Sequence, residues 1–263
     1  MPAASRIGRV NGLVFEVAGD GTPLLLLHEG IGDRGMWDPH WESFAERFTA
    51  IRFDARGFGE SADPDGPYAL HEDALAVLGA AGFDRAAVMG VSFGGAATLE
   101  LALEQPDAVE RAVLVSTTPE GWEPPADLVA RFEEVDALVE RGDIDAANEI
   151  ELRVWIDGVG RDPADVDPSV RAFVASVNRR LLTRQAGLGQ EPSELDPPAM
   201  ERLGELEMPL LAVTGTHDQP MVREATRALV AATAAEHVEI AGAAHLPNLE
   251  RPQAFRDAVL AFL

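Results

Sequence analysis

The sequence predicts an α/β fold, a mainly parallel sheet flanked by helices with a helical insertion. Three observations predict it. Short apolar runs alternate with helical stretches between residues 23 and 115, the rhythm of right-handed strand–helix–strand crossovers. That rhythm breaks after Ser116 and resumes at Pro209. Between the two halves of one such unit stands Gly90-Val91-Ser92-Phe93-Gly94, preceded by an apolar run and followed by a small-residue helical stretch. A strand, a very tight turn and a helix in that order place a serine at the apex of a strained bend.

The elements follow in order. Residues 6–18 read as a hairpin whose Asn11-Gly12 centre suits a two-residue type I′ turn. Pro23 to Leu27 is a continuous apolar run, as in a strand covered on both faces. Residues 38–48 predict a helix with Trp41, Phe44, Ala45 and Phe48 on one face. Strands are expected at 50–53, 85–91, 111–115, 209–213 and 237–241, and helices at 69–81, 93–104, near 221–234 and at 252–263. Residues 119–204 are rich in Pro, Asp and Glu and suggest helices at 127–141, 146–155 and 169–183. The chain therefore divides into a first core segment at 1–118, a helical cap or lid at 119–204 and a second core segment at 205–263. A lid of this kind buries substrate and excludes water.

Composition bounds the function. The chain has 263 residues, 46% of them hydrophobic, enough for one sizeable core. It contains no cysteine, which excludes disulfides, thiolate metal sites and cysteine nucleophiles. All 21 basic residues are arginine, so lysine chemistry such as a Schiff base is excluded as well. The net charge of -24 argues against nucleic acid or an anionic membrane as partner. No apolar run approaches the roughly 20 residues of a membrane span, and the N-terminus lacks the apolar core of a signal peptide. The expectation is a cytoplasmic protein acting on a small molecule. Homo-oligomer formation is left open.

A serine hydroxyl becomes a nucleophile only with a base in hydrogen-bond reach. His245 lies in Gly242-Ala243-Ala244-His245, after the last strand, and Asp218 in Thr214-Gly215-Thr216-His217-Asp218, after the strand before it. Loops at the C-terminal ends of parallel strands are where an open α/β sheet gathers its chemistry. Ser92, Asp218 and His245 are thus the expected nucleophile, orienting acid and base, with Glu120, after an earlier strand, competing for the acid. Developing oxyanion charge needs preorganised donors. Phe93 supplies one backbone N–H, and Gly30, with Ile31 second, the other. His28 is expected to hold its loop, His217 to be structural, and His40, His71 and His237 to be packing or surface residues. Glu29, Ile31, Trp122 and Trp155 are candidates to line the substrate pocket, with Phe132 and Phe173 beside them. Arg153, Arg161, Arg179 and Arg180 could meet a substrate carboxylate, although the abundant acids are the commoner partners.

The motifs His28-Glu29-Gly30, Asp54-Ala55-Arg56-Gly57-Phe58-Gly59-Glu60-Ser61, Gly90-Val91-Ser92-Phe93-Gly94-Gly95, Gly215-Thr216-His217-Asp218 and Gly242-Ala243-Ala244-His245 together resemble the α/β-hydrolase superfamily over nearly the whole chain. The resemblance implies that superfamily's fold, with an eight-stranded, mainly parallel sheet. It is most similar in type to small esterases and 3-oxoadipate enol-lactonase-like enzymes. It implies hydrolysis of a small carboxylic ester or lactone through an acyl-enzyme, with no cofactor and no metal. Carbon–carbon bond hydrolysis of a diketone by the same three residues is the alternative, and a non-catalytic ligand receptor on the same scaffold is a third reading. Where many relatives have His-Gly, this chain has His28-Glu29, which sets a carboxylate beside the expected oxyanion hole. The Asp54-to-Ser61 segment corresponds to a structural turn.

Overall fold

A computed structural model describes residues 5–185 and 192–263. Residues 1–4 of the expected first core segment and 186–191 of the expected lid lie outside the described residues. The hairpin is β1 (Arg6–Val10) and β2 (Leu13–Ala18). Asn11 and Gly12 both have positive φ, 49° and 82°, as a type I′ turn requires. There follow β3 (Thr22–Leu27), α1 (Asp38–Ala45), β4 (Phe48–Asp54), α2 (Leu70–Ala81), β5 (Ala86–Val91), α3 (Phe93–Glu104) and β6 (Val109–Val115). After the insertion come β7 (Leu210–Gly215), a helix at Pro220–Thr233, β8 (Glu236–Ile240) and two helices at Pro247–Glu250 and Pro252–Phe262.

The eight strands form one sheet in the order β1-β2-β4-β3-β5-β6-β7-β8. β1 and β2 pair antiparallel, as do β2 and β4, and every other pairing is parallel. The central parallel strands β3, β5 and β7 are buried on both faces, which explains their unbroken Leu, Val and Ala runs, whereas the edge strand β8 is largely exposed. One apolar layer packs β3, β4 and β5 against α2 and α3, through Leu25, Ile51, Val77, Leu78, Val88 and Leu99. The layer on the other face joins Leu24, Met89 and Val213 to Trp37, Phe44 and Phe255.

Phe48 departs from the expected helix. α1 stops at Ala45, and Phe48 opens β4, paired with Thr22. Its spacing from Trp41 and Phe44 matches a helical face, but the chain has already turned at Glu46 and Arg47, whose N–H groups return to Glu42 and Phe44. Burial of Phe48 against the second apolar layer is satisfied from the strand instead.

Between β6 and β7, no strand occurs among the described residues. The segment holds α4 (Ala126–Glu140), α5 (Ile144–Glu151) and α6 (Pro168–Gln185), with a shorter helix at Ala199–Arg202. The helix expected at 146–155 is not regular: α5 passes into a π-helix at Leu152–Asp157. Leu152, Ile156, Val166 and Val174 join the second apolar layer, so this segment is packed onto the core.

Candidate active site

Ser92 joins β5 to α3 at φ 51°, ψ -111°, a conformation that side-chain-bearing residues rarely adopt. The fold holds it there. Its N–H donates to Val115 O at 2.8 Å, fixing the bend to the end of β6. Gly90 and Gly94 make the bend sterically feasible. A Cβ on Gly90 would run into the Gly94 carbonyl, and one on Gly94 would sit 2.5 Å from His28 O. The same closeness seats the 28–30 loop against the N-terminus of α3, where helix N–H groups are unpaired by geometry. A Cβ on Gly30 would lie 3.6 Å from Phe93 Cβ, so the two expected oxyanion donors are neighbours.

His28 holds this loop as expected. Its Nε2 accepts the Ala55 N–H at 3.0 Å, which places the proton on Nδ1, and Nδ1 donates to Glu29 O at 2.7 Å. Burial lowers its pKa and keeps it neutral. The Asp54 turn is structural too. Asp54 accepts the N–H groups of Arg34 and Glu60, each at 2.9 Å, and pairs with the Arg34 guanidinium. Arg56 grips Asp73 with two 2.8 Å bonds.

Asp218 and His245 meet across loops that follow adjacent strands. His245 Nδ1 donates to Asp218 Oδ1 at 2.9 Å, and both side chains are buried. A carboxylate only accepts, so the proton sits on Nδ1 and Nε2 is left as the basic nitrogen. The Gln219 N–H also donates to Asp218 Oδ1, at 2.8 Å. Glu120, the competing acid, is engaged elsewhere: its carboxylate accepts the Leu195 N–H at 3.0 and 3.1 Å.

The remaining expected residues separate. The Trp155 ring lies 4.4 Å from that of His245, centroid to centroid, and also stacks on Phe132 at 6.1 Å. Trp122 lines a groove of about 860 Å³ with Arg131, Met200, Gln219 and Met221, and Ser92, Phe93 and His245 are not among its lining residues. Ile31 is buried in the second apolar layer near Trp37. Glu29 is buried, its Oε2 has no hydrogen-bond partner, and burial, then Asp33, pushes its pKa up to about 8. The four arginines all have protein partners: Arg153 with Glu149 and Asp157, Arg161 with Glu250, Arg179 with Asp145, and Arg180 with Asp33. His217 Nδ1 donates to Val159 O at 3.0 Å. His40 is buried, its Nε2 donating to Asn248 O at 2.8 Å, while His71 pairs with Glu100 and His237 bonds Thr214.

Sequence reasoning missed the π-helix and the chain that follows it. The Val159 N–H donates to His217 O at 2.8 Å, Gln219 Nε2 to Val154 O at 2.6 Å, and the His245 N–H to Trp155 O at 3.3 Å. Residues 154–159 are thereby stitched to both the acid loop and the histidine loop. No local pattern announces this. The signal available is that π-helical turns concentrate at functional sites, and such a turn is not legible from residue spacing.

Comparison with known proteins agrees with this architecture. The chain is 36% identical over 127 residues to the putative carbamate hydrolase RutD of Caulobacter segnis, a match spanning 46% of that relative's length. It is 28% identical to the carboxylesterase YbfK of Bacillus subtilis, covering 99% of this chain and 86% of the relative. The crystal structure of a hydrolase from Pseudomonas aeruginosa PA01 superposes with a TM-score of 0.78 at 29% identity, covering 98% of this chain and 97% of that one. The profile of the alpha/beta hydrolase family matches residues 24–258, and the chain belongs to that family.

Proposed function

We propose that this chain is a serine hydrolase that cleaves a small carboxylic ester or lactone through an acyl-enzyme. Ser92 Oγ attacks the carbonyl carbon while His245 Nε2 takes its proton. Asp218 holds the Nδ1–H tautomer and stabilises the imidazolium that forms. The N–H groups of Gly30 and Phe93 receive the negative charge of the tetrahedral intermediate. The alcohol leaves with the proton returned by His245, and for a lactone it stays tethered to the acyl group. Water, deprotonated by His245, then attacks the acyl-enzyme, and its collapse releases the acid and Ser92.

One observation carries this reading: a strained serine and a hydrogen-bonded Asp–His pair stand at the C-terminal ends of neighbouring parallel strands of one sheet. The full-length relationship to a carboxylesterase supports the ester class. Residues 119–204 act as the lid, their Trp155 covering the imidazole. The protein works on a small molecule and not on nucleic acid, consistent with its charge of -24.

Fluorophosphonate labelling tests the nucleophile. Labelling of the wild type that is lost in Ser92→Ala is the expected result, and no labelling of the folded wild type overturns the proposal in favour of a receptor. Short-chain esters and lactones tested beside a diketone, with product analysis, separate acyl transfer from carbon–carbon cleavage.

A further inference from the structure

The loop that carries His245 is gripped from behind by two charges to which the proposed chemistry gives no part. Arg161 follows the π-helix and is almost wholly buried. Its Nε donates to Asp157 O at 2.7 Å and its Nη2 to Ile156 O at 2.7 Å. Its Nη1 donates to Gly242 O at 3.0 Å and to Glu250 Oε2 at 2.6 Å. Glu250 is equally buried, and its second oxygen, Oε1, accepts the Ala244 N–H at 2.6 Å. Ala244 is the residue before His245. The two side chains thus tie the turn of the inserted segment to both flanks of the histidine loop, at Gly242 and at Ala244.

The surroundings leave that loop little freedom. A Cβ on Gly158 would sit 2.5 Å from Ala244 Cβ and 2.5 Å from His217 O, so the backbone at Gly158 already packs against the Ala244 methyl and the His217 carbonyl. Oppositely charged groups buried this deeply are unfavourable unless their hydrogen bonds are complete, and a lone survivor of the pair is strongly so. Here the bonds run to backbone carbonyls and an N–H of the two loops, so satisfying the charges fixes the loops.

We propose that Arg161 and Glu250 are a positioning pair that sets the orientation of the His245 ring, an inference that rests on His245 being the base. Neither residue touches substrate. A base misplaced by about 1 Å loses on the order of a hundredfold in rate. The pair also makes residues 154–161 a fixed part of the site, so any opening of the lid occurs elsewhere along it.

Glu250→Gln and Arg161→Lys test the pair, on protein that retains the wild-type circular dichroism. Glu250→Gln keeps the shape and removes the charge. Arg161→Lys keeps the charge, shortens the reach and is the milder replacement should Glu250→Gln unfold. The expected result is a fall in kcat of about tenfold or more with KM within about twofold, and an equal slowing of fluorophosphonate labelling. The His245 Nδ1–H proton resonance should shift in both variants. An unmoved resonance together with an unchanged kcat in Arg161→Lys overturns the positioning role. Failure of the active-site reading itself looks different: His245→Ala would then keep wild-type turnover, while the resonance of His245 would still report on the pair.

Discussion

Replacing Glu29 by Gln leaves the side chain's shape and removes its ability to ionise. The residue is 1% exposed, and its pKa is raised from 4.5 to about 8 by burial, with the Asp33 carboxylate adding to the rise. A hydrogen bond from its own backbone N–H opposes the rise and is the smallest of the three influences. A pKa raised in the folded state means that the native protein holds the proton more tightly than the unfolded chain. The associated stability is fully present below pH 4.5 and is lost as the pH climbs through 8. Each unit in that window is worth about 1.4 kcal/mol, so the wild type loses up to about 5 kcal/mol relative to the Gln variant across it. Urea unfolding of both proteins at pH 5, 6, 7 and 8 reads this directly. The difference in unfolding free energy should grow in favour of Glu29→Gln at each step. Activity gives a second readout. Ionised Glu29 would put negative charge next to Gly30, where the proposed reaction stabilises an oxyanion, so the wild-type rate should fall above about pH 8 while the Gln variant holds. Parallel stability curves for the two proteins would refute the reasoning and would mean that Glu29 is ionised, with a compensating partner, throughout.

Other outcomes follow from the same geometry. Ser92→Ala and His245→Ala should each lower turnover by about 10⁴ or more while leaving the circular dichroism unchanged, and a near-normal rate in either removes that residue from the mechanism. Asp218→Asn, which offers His245 Nδ1 a donor in place of an acceptor, should lose about 10⁴ in kcat through the wrong tautomer. Glu120→Gln should leave kcat within about twofold, because its carboxylate braces Leu195; a large fall would reinstate it as the acid. Gly94→Ala should lower stability by about 2–4 kcal/mol in denaturant unfolding, since its methyl would press on the His28 carbonyl.

Much of this was legible in the sequence because it is written in local chemistry. Asn11-Gly12 announces its turn, the covered strands read as unbroken apolar runs, and the glycines around Ser92 mark a bend where no Cβ fits. The order Ser92, Asp218, His245 could be read because each lies just beyond a strand. Other features depend on tertiary choices. Phe48 fits a helical face in spacing but is a strand residue, because nothing local says where α1 ends. Trp122 and Trp155 look equivalent as lid aromatics. The π-helical turn puts Trp155 on His245, while Trp122 lines a groove that excludes the expected catalytic residues. Arg161 reads as one of several arginines amid abundant acids, with no partner singled out, and only the folded chain brings Glu250, 89 residues away, to meet it.

The sheet order explains why residues so far apart in sequence share one edge. β3, β5, β6, β7 and β8 stand side by side and point the same way, so the segments leaving their C-terminal ends emerge in a row. Hydrogen bonds then fasten each end to the next. The Ser92 N–H reaches Val115 O, the Ser116 N–H reaches Val213 O at 2.7 Å, and the Thr216 N–H reaches Ile240 O at 3.2 Å. The His217 N–H closes onto Ala243 O at 2.8 Å, two residues short of the imidazole. Strain at Ser92 is therefore carried by a ladder that runs through the Asp218 loop to the His245 loop. The inserted segment leaves after β6 and returns to β7, inside that ladder, which places its π-helical turn against the acid and histidine loops. Docking of that turn and alignment of the Asp–His pair are in this way one structural event. Substitutions that loosen the turn should then change the catalytic rate before they change substrate affinity.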